Sequence, residues 1–177
     1  MAQVCNVAVV QRSNYLLDYG GPAFSYREGF EIPNWLAAWA VAAVTSVVIG
    51  IFSRPWLHWL LRCIAPAPGG GPSMETMLRG NWRSRVICEG RQGARVEVEI
   101  GDAHRDAGYW GTSRMLLEAA LCIALQKAAL DSDPQLVRGG VLTPAAALGG
   151  VLADRLRKAG LTVEVKDAQA AAAQVAG

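Results

Sequence analysis

The longest apolar stretch of the chain runs from Trp35 to Phe52, interrupted only by Thr45, Ser46 and Gly50. No charged residue falls between Ile32 and Ser53. At about 1.5 Å per residue, a helix of this length reaches about 27 Å, close to the roughly 30 Å of a bilayer's hydrocarbon core. Trp35 and Trp39 stand at one end, Trp56 and Trp59 lie past the other, and Arg54, His58 and Arg62 follow. Indoles at both ends with cations on one side make the pattern of an interfacial belt with a positive flank. A helix apolar on every side is equally at home inside a protein core. Both readings stand at this point: lipid contact, on a surface or within one leaflet, or burial in protein. The small size of the chain weighs for lipid, because few other elements remain to wrap such a helix.

The other periodicities predict shorter elements. Val7, Val10 and Leu17 recur at helical spacing, which predicts a helix over about 7–17 with Asn6 as its N-cap. The valines keep a strand as the rival. Tyr19-Gly20-Gly21-Pro22 breaks the element. Phe24–Ile32 reads as a strand, with Phe24, Tyr26, Glu28 and Phe30 on one face. Pro66–Pro72 reads as a linker, and its glycines lack the lysine and hydroxyl of a phosphate loop. Ser73 is placed to cap a short helix to Arg79, with Thr76 at the third helical position. A hairpin is expected from Trp82–Glu89 and Ala94–Ile100 across Gly90–Gly93. Its second arm alternates Val96, Val98 and Ile100 with Arg95, Glu97 and Glu99, predicting one buried face and one wet face. Arg83 and Arg85 with Glu97 and Glu99 read as a solvated face paired across strands.

After a polar loop at Gly101–Gly108, Tyr109–Leu130 reads as one helix, and Met115–Leu125 within it is apolar nearly all round except for Glu118. A carboxylate in that setting pairs, sits protonated or points to an edge. Thr143 as N-cap and Pro144 at the first helical position start a helix to about Ala159, which Gly160 stops. Leu161–Val165 reads as a final strand. Residues 167–177 form an Ala/Gln tail expected to be disordered. The expected fold class is therefore α+β: a small antiparallel or mixed sheet of about four strands packed with about five helices, one of them long and apolar.

Composition narrows the function classes. The chain has 177 residues, 52% hydrophobic and 18% charged, against about 25% charged in soluble domains. A net charge of +2 is too mild for a nucleic-acid binder, so no nucleic-acid partner is expected. The first ten residues lack a basic n-region and a cleavage pattern, so no secretory leader is expected there. Cys5, Cys63, Cys88 and Cys122 have no zinc-site spacing and read as reduced, buried, intracellular cysteines. His104 between Asp102 and Asp106 reads as a solvated loop, with local metal ligation or acid–base work as the rival. No dinucleotide fingerprint, phosphate loop, nucleophile elbow or zinc-protease motif occurs. No complete active site is visible, no metal is expected and the catalytic residues stay unassigned.

One set of blocks, in order, resembles a known family. They are Val9-Val-Gln-Arg-Ser13, Tyr19-Gly20, Phe24-Ser-Tyr26, the apolar segment, and Pro68-Gly-Gly-Gly-Pro72. Gly108-Tyr109 with Thr112, Met115 and Glu118 follows, then Gly139-Gly-Val-Leu-Thr-Pro144 and Leu156 through Val165. From about residue 5 to 166 the chain resembles the C-terminal portion of the saccharopine dehydrogenase-like oxidoreductases. That group includes the bacterial trans-acting enoyl reductases of glycolipid synthesis. The resemblance implies that 1–166 is a substrate and assembly domain of an NAD(P)-dependent enzyme of lipid or glycolipid metabolism. Family members begin with a dinucleotide-binding domain, whose glycine fingerprint this chain lacks. It is therefore expected to bind no cofactor alone and to be inactive without a nucleotide-binding domain, in cis or trans. The alternative is a non-enzymatic module associated with membranes or lipid droplets.

The resemblance also marks residues. Arg12, Tyr109, Thr112, Glu118 and Thr143 match its motifs and become candidates to line a substrate-facing cleft, each with a purely structural role as the rival. Eukaryotic members associate with lipid droplets and membranes, which implies an intracellular, membrane- or droplet-associated location. Trp35, Trp39, Val44, Val48, Phe52 and Trp56 are then the expected lipid contacts. Self-association as a homo-oligomer is a further expectation, because half an enzyme exposes the surface its other half would cover.

Overall fold

A computed structural model of the chain describes residues 2–64, 69–90 and 93–169. Residues 66–68 of the expected linker, 91–92 of the expected hairpin turn and 170–177 of the expected tail lie outside the described residues. The chain divides into two units: Arg27–Pro72, and Ala2–Tyr26 together with the chain from Ser73 onward.

The second unit is α+β. It begins with α1 (Ala2–Leu17) and continues with α4 (Met74–Arg79), β1 (Trp82–Glu89), β2 (Arg95–Asp102) and α5 (Thr112–Leu125). It ends with α6 (Lys127–Ser132), α7 (Pro144–Lys158) and β3 (Thr162–Gln169). The smaller unit holds α2 (Trp35–Phe52) and α3 (His58–Ile64).

The helical reading of the first segment holds, but α1 starts at Ala2. Asn6 therefore lies inside it and is not its N-cap. Asn14 shapes the exit: its Oδ1 accepts the Gly20 N–H at 2.8 Å and its Nδ2 donates to the Gly21 carbonyl at 3.1 Å. Tyr19 and Phe24 then meet edge to face with centroids 5.4 Å apart. A Cβ on Gly20 would fall 2.4 Å from the Phe24 ring, so this contact requires glycine.

The strand expected at Phe24–Ile32 does not form; the segment is irregular. Its alternation is interrupted by Glu28 and Gly29, and Phe30 is 94% exposed, so the apolar face is not continued to its end. Among the described residues the sheet has three strands in the order β1-β2-β3, all antiparallel. Arg85 lies opposite Glu99, yet reaches diagonally to Glu97 at 3.7 Å, while Arg83 reaches Glu99 at 4.0 Å. This is the cross-strand charged face that the sequence pattern predicts. The expected division of β2 into a buried and a wet face is blurred, because a central strand is half-covered along Val96–Ile100. β3 runs through Gln169, so Asp167–Gln169 belong to the sheet and not to the expected tail.

The helix expected over 109–130 is broken. A single π-helical turn at Ala107–Gly111 leads into α5, and Gln126 (φ −115, ψ 27) separates α5 from α6. The break brings α6 against α7. Propensity could not reveal it, since Leu125, Gln126, Lys127 and Ala128 are all good helix formers. α7 starts as expected, with Thr143 Oγ1 accepting the Ala146 N–H at 3.3 Å. It is kinked at Gly149, whose φ of +43 is a glycine conformation.

The core is thin. Cys122 of α5, Ala146 and Leu148 of α7, and Leu161 before β3 are its buried apolar residues among those described. Cys5, Cys63 and Cys88 are exposed, which corrects the expectation of four buried thiols. So small a core covers only one of them.

In the smaller unit, Asn34 Oδ1 caps α2 by accepting the Ala37 N–H at 2.8 Å. At the other end Ser53 Oγ donates to Ile49 O at 2.8 Å and Arg54 Nη1 to Gly50 O at 3.1 Å. No residue of α2 is buried.

Candidate functional site

The sequence candidates lie in the larger unit and are engaged in three separate sets of contacts. The first joins α1 to α7. Ser13 Oγ donates to Val9 O at 2.9 Å and lies 2.8 Å from Thr143 Oγ1. Ser13 has one proton and spends it on Val9, so Thr143 is the donor of the second bond. Both hydroxyls are buried. No acid or base takes part, so the pair clamps two helices and does not form a nucleophile. Arg12, the next residue on α1, lies over the Tyr15 ring with its guanidinium 5.4 Å from the centroid.

The second set precedes α5. Asp106 accepts the N–H of Tyr109 at 2.7 Å and of Trp110 at 3.0 Å. These bonds hold its carboxyl below the ordinary carboxylate value, the Tyr109 bond most of all. Thr112 Oγ1 donates to Ala107 O at 2.9 Å, closing the same turn. The Tyr109 side chain is exposed. Gly111 is the tight position here: a Cβ would lie 3.0 Å from Asp106 O and 3.2 Å from Trp82 Nε1. Gly108 would meet only Asp106 Oδ2 at 3.5 Å, an ordinary contact. His104 donates its backbone N–H to Asp102 Oδ1 at 2.9 Å, so the Asp102–Asp106 segment is knit by local turns. Among the described residues no group of His, Cys, Asp and Glu is arranged to hold a metal.

The third set explains Glu118. Its Oε2 stands 2.6 Å from Arg155 Nε, with the side chains 15% and 21% exposed. The contact is an ion pair, not a directed hydrogen bond, because the Nε–H is not aimed along that line. Glu118 is thereby the partnered carboxylate, one of the readings its setting left open. Cys122, one turn further along α5, is buried beside them. Burial pushes its thiol up, and Arg155 pulls it partly back.

A shallow depression of about 430 Å³ opens between α1 and the following loop, lined by Gln11, Asn14, Tyr15, Asp18 and the Gly21–Phe24 turn. None of the five sequence candidates lines it. Ser13 and Arg155 were not singled out by the sequence, and Asp106 was named only as part of the polar loop around His104. Ser13 at least stands beside Arg12 in the first matching block, and Asp106 precedes the Gly-Tyr block; Arg155 had no signal. The expected lipid-contact residues all project from the smaller unit: Trp35, Trp39, Val44, Val48, Phe52 and Trp56 are each exposed.

No protein-family model and no solved structure matches the chain. It is similar to trans-acting enoyl reductases of mycobacteria. Identity is 36% over 167 residues with that of Mycobacterium ulcerans and 35% over 166 residues with that of Mycobacterium leprae. It is 33% over 166 residues with that of Mycobacterium tuberculosis strain H37Rv. Each alignment takes in 89% of this chain and 38% of the relative, so the chain spans less than two fifths of the length of the curated relatives it matches.

Proposed function

We propose that the chain is the C-terminal, substrate and assembly portion of a saccharopine dehydrogenase-like, NAD(P)-dependent enoyl reductase serving lipid or glycolipid synthesis. The observation that carries this reading is the similarity, along 89% of the chain, to proteins named trans-acting enoyl reductases. NAD(P) is the cofactor of the whole enzyme in this reading. The residues of this chain do not fit it. A dinucleotide fold needs a parallel strand entering a helix through closely spaced glycines, with free N–H groups facing the phosphates. Here the sheet is antiparallel, and β2 reaches α5 through a turn whose Tyr109 and Trp110 N–H groups already hold the Asp106 carboxylate. A negative charge sits where a phosphate would have to bind.

The division of labour follows from this. Hydride transfer belongs to a nucleotide-binding domain, in cis or trans, and this chain completes the substrate side. α5 supports such an assembly: it leaves Leu116 and Ile123, seven residues apart and so on one side, 72% and 62% exposed. A partner domain, or a second copy in a homo-oligomer, would cover them. α2 supplies contact with a membrane or lipid-droplet surface, which suits a long acyl substrate and an intracellular location. Arg12, Tyr109, Thr112, Glu118 and Thr143 remain the candidates for the substrate side. Tyr109 is the one whose side chain is offered to solvent. The unburied α2 also favours a second reading, a lipid-associated module without its own activity.

A chimera tests the proposal. This chain replaces the matching portion of the Mycobacterium leprae relative, and NADPH consumption is followed on a long-chain 2-enoyl thioester. The chain alone is expected to consume none, and the chimera to turn over. Turnover by the chain alone would overturn the need for a second domain. An inert, folded chimera beside an active parent would overturn the assembly role.

A further inference from the structure

The geometry points to a monotopic protein: its apolar segment enters a lipid surface and leaves it on the same side. The inference rests on the reading of α2 as lipid-facing and adds the topology and lipid class of that contact. The argument starts from connectivity. Residues before α2 (Ala2–Tyr26) and after it (Ser73 onward) fold into one unit. α1 packs on α7, and Ser13 and Thr143 share a buried hydrogen bond of 2.8 Å. A single crossing by α2 would leave these two flanks on opposite faces of the membrane and make that bond impossible.

A return crossing is equally excluded. Pro55–Leu57 and α3 rise only about 16 Å together. Arg54 borders this stretch, and His58 and Arg62 lie on it. Beyond it comes Pro66-Ala-Pro-Gly-Gly-Gly-Pro72, whose three prolines carry no backbone N–H and whose glycines disfavour a helix, a poor sequence for the self-bonded backbone that hydrocarbon demands. α2 therefore lies within one leaflet, and its capped ends suit that setting. Asn34 takes up the Ala37 N–H of the first turn, and Ser53 and Arg54 take up the carbonyls of Ile49 and Gly50. The four indoles of Trp35, Trp39, Trp56 and Trp59, all exposed, then sit at one headgroup layer and not at two.

Lipid is the occupant that fits, and anionic lipid in particular. At about 100° per residue the exposed Trp35, Leu36, Val44, Val41 and Ile49 point to every side of α2. A protein partner covers one side of such a helix, whereas acyl chains surround it. No Asp or Glu occurs from Ile32 to Met74, while Arg54 and Arg62 do, which complements anionic headgroups.

The native cysteines provide the test. Cys5 precedes α2 and Cys88 follows it, both exposed, while Cys122 is buried. The full chain carrying Cys63→Ser is reconstituted while vesicles of phosphatidylglycerol and phosphatidylcholine form. The vesicles are floated, treated with a membrane-impermeant maleimide, and the intact protein is weighed. Same-side insertion gives molecules with two labels or none, whereas singly labelled molecules would overturn the topology and leave the lipid contact standing. Failure of the wild-type chain to float would overturn the lipid contact itself, and a stable oligomer by sizing would then identify a second copy as the cover. Binding is expected to fall by roughly fivefold for each arginine on pure phosphatidylcholine; equal binding there would overturn the anionic preference.

Discussion

Thr143 donates its hydroxyl proton to Ser13 across 2.8 Å of buried interface, and that bond ties the first helix of the larger unit to the last. The same oxygen caps α7 by accepting the Ala146 N–H. Thr143→Val keeps the volume and removes both functions. A lost cap costs about 1 kcal/mol, and the hydrogen bond that Ser13 no longer receives about 1 kcal/mol more. Urea unfolding of Thr143→Val is expected to show a loss of about 2 kcal/mol, and Ser13→Ala about 1 kcal/mol. The double variant should lose less than the sum by about 0.5–1.5 kcal/mol. Strict additivity would mean that the two hydroxyls act independently.

Much of the fold was legible because local signals were strong. Thr143-Pro144 announced the start of α7, Ser73 that of α4, and the alternation of Val96, Val98 and Ile100 a strand. What failed depended on distant contacts. Phe24, Tyr26 and Phe30 look like a strand face, but a strand needs a neighbour, and none is present among the described residues. Gln126 breaks a helix that every local preference would continue. At the candidate positions, residue type pointed correctly to a tension at Glu118. Its resolution by Arg155, thirty-seven positions on, rests on the packing of α5 against α7. The break at Tyr19-Gly20 was readable, but its cause, the Phe24 ring lying on the glycine, was not.

Breaking the Glu118–Arg155 pair should weaken the larger unit. Fully buried pairs cost about 3–5 kcal/mol when one member is removed. At 15% and 21% exposure, water screens part of that, so Glu118→Gln is expected to cost about 1–3 kcal/mol in urea unfolding. Cys122 provides a second readout. Its folded value is raised by burial, so its contribution to stability is complete below the ordinary thiol value of 9.0 and is lost as pH rises through the folded value. Arg155→Met removes the opposing pull of the guanidinium and should enlarge that alkaline loss. Unfolding midpoints at neutral and alkaline pH measure it. An identical alkaline slope in wild type and variant would detach Cys122 from the pair.

Asp106 should govern acid behaviour at the start of α5. Its folded value is lowered by the N–H groups of Tyr109 and Trp110, so its contribution is present above the ordinary carboxylate value of 3.8 and is lost as pH falls through the folded value. Asp106→Asn retains an acceptor without the charge and should flatten the acid limb of the stability curve. Asp106→Ala removes the acceptor and should loosen the turn at all pH values. Amide exchange at Tyr109 and Trp110 reads the difference directly. Unchanged protection in Asp106→Ala would show that the turn holds without its cap.

The sharpest contrast between lipid and protein surroundings comes from α2. Val44 and Val48 are one turn apart, 64% and 40% exposed, on a helix with no buried residue. In lipid, an acid at the middle of such a helix costs about 2.5–3.5 kcal/mol. Val44→Glu with Val48→Glu is therefore expected to abolish vesicle flotation. Because the core of the larger unit lies in α5, α7 and the entry to β3, its thermal unfolding should not move. The opposite pattern, a soluble wild-type chain that unfolds on substitution, would mean that protein covers α2. Retained flotation with an unmoved midpoint would shift the lipid contact to the Trp56–Trp59 corner. Each of these results separates the helix from the rest of the chain, because α2 and the core of α5 and α7 belong to different units.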